Sequence, residues 1–180
     1  MQLPDHIDQT KTSKKISPKN GDEQNHHEFG RAFVTTNKKS FFEWARLWGQ
    51  SNSLWPFPFG TACCALEYSS VVGAKYDIGR FDLEFDRIPA EQSDLLIIGG
   101  TITEKLAPMV VELYEKMRSP KWVIAFGACA SSGGPYRAYN VVQGISQLIP
   151  VDVYIPGCPP TPESLLQGIF PIKEKIKLGQ

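Results

Sequence analysis

Three short stretches of the chain are apolar with almost no interruption: Asp94–Gly99 (DLLIIG), Lys121–Gly127 (KWVIAFG) and Val151–Pro156 (VDVYIP). Apolar runs of this length without polar alternation predict strands buried on both faces. Phe81–Ile88 alternates apolar and polar residues instead, which predicts an edge strand ending at Pro89. Helical spacing fills the intervals. Ser40-Phe41-Phe42-Glu43 reads as a capping box opening a helix over 40–50, with Phe41, Trp44, Ala45 and Trp48 on one face. Such an aromatic face covers the domain's own core, lies on a membrane surface or enters a partner's groove. A helix is expected over 62–71. Thr101-Ile102-Thr103-Glu104 is a second capping box ahead of an amphipathic helix to about Met117, which Pro108 forces to start late or to kink. Thr161-Pro162-Glu163 supplies an N-cap, a proline in the first turn and an early acid for a last helix to about Lys175. Buried strands separated by helices imply an α/β fold with a mostly parallel sheet in three layers, flanked by helices.

Composition narrows the partners. The 180 residues carry 19 Lys+Arg and 19 Asp+Glu, so the basic excess usual in a nucleic-acid binder is missing. Hydrophobic residues at 42% and charged residues at 21% fit an ordinary globular protein. No apolar run reaches the ~20 residues of a membrane-spanning helix. Residues 1–30 are polar, mixed in charge and without an apolar signal segment, so residues 1–37 are expected as a flexible tail and 38–180 as one domain. The tail holds all three histidines, His6, His26 and His27. Histidine ligands, triads and proton shuttles are therefore unavailable to the domain, which must work with thiols, carboxylates, tyrosines and backbone.

The four cysteines fall at informative places. Cys129 follows one predicted strand in Gly127-Ala128-Cys129-Ala130, and Cys158 follows another in Pro156-Gly157-Cys158-Pro159-Pro160. Open α/β sheets place ligands at the carboxyl ends of their strands. Cys63 and Cys64 follow Trp55-Pro56-Phe57-Pro58-Phe59-Gly60, read as a rigid aromatic loop, and open the helix over 62–71, whose N-terminus favours thiolates. Adjacent cysteines are poor disulfide partners. Four thiols in glycine-marked loops fit a four-thiolate site. A [4Fe–4S] cube accepts ligands from separated loops, whereas zinc prefers paired knuckles that this chain lacks. Ordinary buried cysteines remain the third reading.

At these residues the chain resembles the PSST-type (B-type) subunit of NADH-quinone oxidoreductases (respiratory complex I). The matching segments are SLWPFPFGTACCALE (53–67), QSDLLIIGGTITEKLAP (92–108), KWVIAFGACASSGG (121–134) and VDVYIPGCPPTPE (151–163). The resemblance covers about residues 38–177 and implies a fold like the nickel–iron hydrogenase small subunit. It implies that Cys63, Cys64, Cys129 and Cys158 hold one terminal [4Fe–4S] cluster, which passes electrons to a quinone shared with a C/D-type (49 kDa) subunit of a proton-pumping complex. It also implies other peripheral-arm iron–sulfur subunits and a membrane-arm subunit at the quinone entrance as partners, and a peripheral place on the cytoplasmic face of the bacterial inner membrane. Glu67, Asp77 and Asp94 match acidic positions that the family has near cluster and quinone. The chain departs from the family at Gly79, where an acid is common, and at Tyr68-Ser69-Ser70, where methionines are common. The alternative is the small subunit of a related membrane-bound hydrogenase or of a quinone reductase with another donor; the tandem Cys63-Cys64 favours the quinone branch.

Overall fold

Four parallel strands form one sheet in the order in which they occur along the chain, β1-β2-β3-β4. They are β1 (Pro56–Gly60), β2 (Leu95–Gly99), β3 (Trp122–Phe126) and β4 (Val153–Ile155). The helices are α1 (Lys38–Ser51), α2 (Cys64–Val72), α3 (Ala107–Lys116), α4 (Ala128–Ser132) and α5 (Pro162–Lys177). This is a computed structural model, and it describes residues 38–83 and 89–179. The flexible tail expected over 1–37 lies outside the described residues.

The apolar runs form strands because both of their faces are covered. Leu95, Ile97, Trp122, Ile124 and Phe126 alternate onto one face, where Val71 of α2 and Leu165, Ile169 and Ile172 of α5 meet them. Leu96, Ile98, Val123 and Ala125 take the other face, against Val110 of α3 and Ala130 of α4. The period of two within each strand thus splits one apolar run between two cores. The four-stranded parallel sheet with helices on both sides is the α/β arrangement the pattern predicts.

Three expectations change. The segment read as an aromatic loop is β1, in register with β2 from Pro56↔Leu95 to Gly60↔Gly99. Prolines demote a strand when their missing N–H is needed, but here it is not. Trp55 O accepts from Leu95 N–H and Thr61 N–H donates to Gly99 O, so the odd-numbered residues face β2 and the backbones of Pro56 and Pro58 face away from it, on the side where Leu54 N–H donates to Asp82 O. The edge strand expected over 81–88 does not form in its described part. Ile78–Phe81 is a 3-10 turn, Asp82 is left-handed, and Leu83 makes only an isolated bridge with Leu54; residues 84–88 lie outside the described residues. Leu83 itself is fully buried in the core.

The third change concerns α1. The helix already runs at Lys38, so Ser40 lies inside it and is not its cap. The aromatic face does not serve the domain's core: Phe41, Trp44 and Trp48 are each more than half exposed, at 52%, 61% and 58%. The start of α3 at Ala107, with Pro108 in its first turn, is the late start the proline requires.

Candidate metal centre

The strands end level. Gly60 pairs with Gly99, Gly99 with Phe126, and Phe126 with Ile155. Cys63, Cys129 and Cys158 each stand three residues beyond the last residue of β1, β3 and β4. One sheet register therefore brings three cysteine-bearing segments to one edge, and Cys64 comes with Cys63. Loop-to-loop hydrogen bonds hold them there. Gly127 N–H donates to Ile155 O at 2.9 Å, and Ala128 N–H donates to Gly157 O at 2.8 Å. The Thr61 hydroxyl donates to Thr101 O at 2.8 Å, tying the segment before Cys63 to the loop after β2. Sequence reading passes over Thr61; its only signal is its place beside the predicted cysteine loop.

Gly127 lies where the three segments meet. Its φ is +96°, and a Cβ there would stand 2.6 Å from Cys64 Sγ and 3.4 Å from Pro160 Cδ, so only glycine fits. Cys64 and Cys129 are buried, while Cys63 and Cys158 are exposed. Burial pushes the Cys64 thiol up to about 11, and the neighbouring Cys63, Cys129 and Cys158 push in the same direction. Crowded thiols resist ionising together, and a cationic metal group reverses that preference by binding them as thiolates. Among the described residues, no group of three or more His, Cys, Asp or Glu side chains is placed to hold a single metal ion. Lone zinc needs its sulfurs about 2.3 Å from one point. An iron–sulfur cube takes each thiolate on a different iron, so four thiols on neighbouring loops fit it better.

The acidic residues divide. Glu67 is in the first turn of α2, half-buried, just beyond the cysteine pair. Asp77 stands in the turn after α2 with a left-handed backbone, and its carboxylate accepts from Arg80 Nε at 2.9 Å. Asp94 is not near the thiols. It precedes β2 at the amino edge, so the length of a five-residue strand, about 16 Å, separates it from Gly99. There it accepts from Trp55 N–H at 2.7 Å. Burial pushes its carboxyl up to about 6, against the opposing effect of that hydrogen bond. The large cleft of about 700 Å³ is at this amino edge too, lined by Arg46, Trp55, Asp94, Arg118 and Trp122, and has no cysteine in its wall.

Comparison with known proteins agrees with this geometry. The family described as "NADH ubiquinone oxidoreductase, 20 Kd subunit" matches residues 62–172, a span that includes all four cysteines. The B-type subunit of the NADH-quinone oxidoreductase of Bdellovibrio bacteriovorus is 52% identical over 153 residues, covering 85% of this chain and 80% of that protein. The corresponding subunit of Aliarcobacter butzleri is 53% identical over 148 residues, covering 82% and 84%. Among solved structures, a chain of the membrane-bound sulfane sulfur reductase, an archaeal respiratory membrane complex, superposes with a TM-score of 0.71 at 38% identity, covering 77% of this chain and 78% of that one. By the family match and by both bacterial relatives, this chain belongs to the 20 kDa (B-type) subunit family of NADH-quinone oxidoreductases, a family of subunits of an oxidoreductase complex.

Proposed function

We propose that Cys63, Cys64, Cys129 and Cys158 hold one [4Fe–4S] cluster, and that the chain delivers electrons to a quinone bound where its cysteine edge meets the C/D-type (49 kDa) subunit of a proton-translocating NADH:quinone oxidoreductase. The observation that carries this reading is the level edge: the sheet register sets three cysteines three residues past their strands, with Gly127 leaving room beside Cys64. A [4Fe–4S] cluster in that place supplies one-electron transfer between an upstream cluster and quinone.

The chain's own residues do the rest. Cys64 and Cys129 anchor from the buried side, and exposed Cys63 and Cys158 face outward, where a partner must cover them. Glu67 stands in the first turn of α2, beside the cysteine pair, and Asp77 in the turn after that helix; we assign them as the acids that answer the change of charge when the site gains an electron. Quinone reduction consumes protons, so such a response is useful there. Asp94 takes no part in this proposal, because it stands at the opposite edge. Other peripheral-arm iron–sulfur subunits are the upstream partners, and the exposed aromatics of α1 suit a membrane-arm partner. A peripheral place on the cytoplasmic face of the inner membrane follows from the same reading; among the described residues no helix is long and apolar enough to cross a membrane.

The test is low-temperature EPR with iron and sulfide analysis on the dithionite-reduced complex. A [4Fe–4S] signal that quinone oxidises and that Cys129→Ser abolishes is expected. Full iron and an unchanged spectrum in Cys129→Ser would refute the ligand assignment. A second reading has one observation behind it, the likeness to a chain of a respiratory complex named for sulfane sulfur reduction. In that reading the cysteine edge serves a complex with a different donor or acceptor, and a cluster indifferent to quinone would favour it.

A further inference from the structure

Two of the four thiols ride on α2 and its N-terminus, and another on the loop leading into α5. Something must fix the spacing between these carriers. Tyr76, in the turn after α2, donates its hydroxyl to Glu163 Oε1 at 2.7 Å, across 87 residues of sequence. The base of Tyr76 is secured, since Tyr76 N–H and Asp77 N–H both donate to Gly73 O, at 3.1 and 2.9 Å. Glu163 occupies the first turn of α5, five residues after Cys158. The Tyr76 hydroxyl holds the Glu163 carboxyl below its usual range, and Lys75 Nζ lies 4.9 Å from the centre of the Tyr76 ring.

A second tie joins the same two carriers farther away. Lys173 donates to Phe81 O at 2.6 Å and to Asp82 Oδ2 at 3.0 Å. The Phe81 ring meets Phe170 edge-on, centres 6.3 Å apart. Lys173 lies ten residues beyond Glu163, about 15 Å along the helix. One tie is thus beside the cysteine loop and the other is remote from it.

We propose that Tyr76 and Glu163 are positioning residues for the cysteine site: their hydrogen bond sets the spacing between the Cys63-Cys64 pair and Cys158, and with it how tightly the site retains its metal group. This rests on the reading of the four cysteines as ligands. Neither residue touches the group; each acts through a cysteine carrier. A solvent-accessible hydrogen bond of this kind corresponds to about fivefold in an equilibrium.

The experiment uses the intact complex carrying Tyr76→Phe, Glu163→Ala, Glu163→Gln or the Tyr76→Phe/Glu163→Ala pair. Lys173→Gln serves as the remote control and Cys158→Ser as the ligand control. The readouts are the rate of iron release to a chelator, the EPR line shape of the reduced complex and the melting temperature. Tyr76→Phe and Glu163→Ala should each speed iron release about fivefold and alter the line shape. The double variant should be no faster than either single one, because one bond is lost in all three. Glu163→Gln keeps the acceptor and should stay within about twofold of the parent. Lys173→Gln should lower the melting temperature and leave iron release within about twofold. Iron release and line shape unchanged in Tyr76→Phe, with iron lost in Cys158→Ser, would overturn the positioning role alone. So would a double variant whose rate multiplies the two single effects. Full iron in Cys158→Ser would overturn the ligand reading and this proposal with it.

Discussion

At the carboxyl edge of the sheet the strands end level and hand over to loops with glycine and thiols; at the amino edge the chain enters through Trp55, Asp94 and Trp122. The amino edge satisfies its own polar groups. Asp94 accepts from Trp55 N–H, Asp94 N–H donates to Trp55 O, and Trp122 N–H donates to Asp94 O. Nearby, Asp152 accepts from Val123 N–H at 2.9 Å and receives Lys175. The carboxyl edge gathers thiols, where burial and the three neighbouring cysteines push Cys64 toward the protonated state. One edge ties its strands together by hydrogen bonds beside an open cleft, and the other collects the thiols proposed as ligands. Strand polarity makes the difference, because all four strands run the same way and so offer all their exits together.

Four variants probe this contrast. Phe126→Ala should have the largest effect: its ring is fully buried at the carboxyl end of β3, and its loss should cost about 3–5 kcal/mol of stability, read by chemical denaturation of the complex. Gly127→Ala, one residue on, should act on the carboxyl edge. Its Cβ meets Cys64 Sγ, so iron content should fall by more than half, with a stability loss of about 1–3 kcal/mol. Asp94→Asn should act on the amino edge and carry a pH signature. The folded carboxyl, at about 6, keeps its proton where the unfolded one has lost it, so stability falls as pH rises from about 4 to about 6 and stays lower above. Asparagine has no proton to lose, so the variant should flatten that dependence and gain about 1–2 kcal/mol at pH 7, with iron content unchanged. Arg80→Ala removes an exposed ion pair with Asp77 and should change stability by less than ~0.5 kcal/mol. A large change in quinone reduction without a change in stability would mark Asp77 as a working acid.

The carboxyl edge is legible in the sequence because its signals are local: apolar runs fix the strands, and glycine and cysteine follow them directly. The amino edge is harder to read. Asp94 enters through the resemblance, as a match to the family's acidic positions near cluster and quinone, but it precedes β2, and the residue before a strand is at the far end from the loop that follows it. β1 escapes sequence reading because proline usually speaks against a strand, and only the pairing side decides whether the missing N–H matters. The exposure of Phe41, Trp44 and Trp48 is equally hidden, since helical spacing gives a face and not the direction in which it points. The Tyr76–Glu163 bond spans 87 residues and has no sequence signature at all.

The prolines of β1 have a consequence for how such a chain waits for its partners. An outer strand normally offers a row of amide donors that a stray strand can copy, the route by which newly made chains polymerise into aggregates. Pro56 and Pro58 withhold those donors along the outward side of β1. A strand laid on that side finds no amide donor at either position. The same two residues that hide the strand from sequence reading act as its gatekeepers.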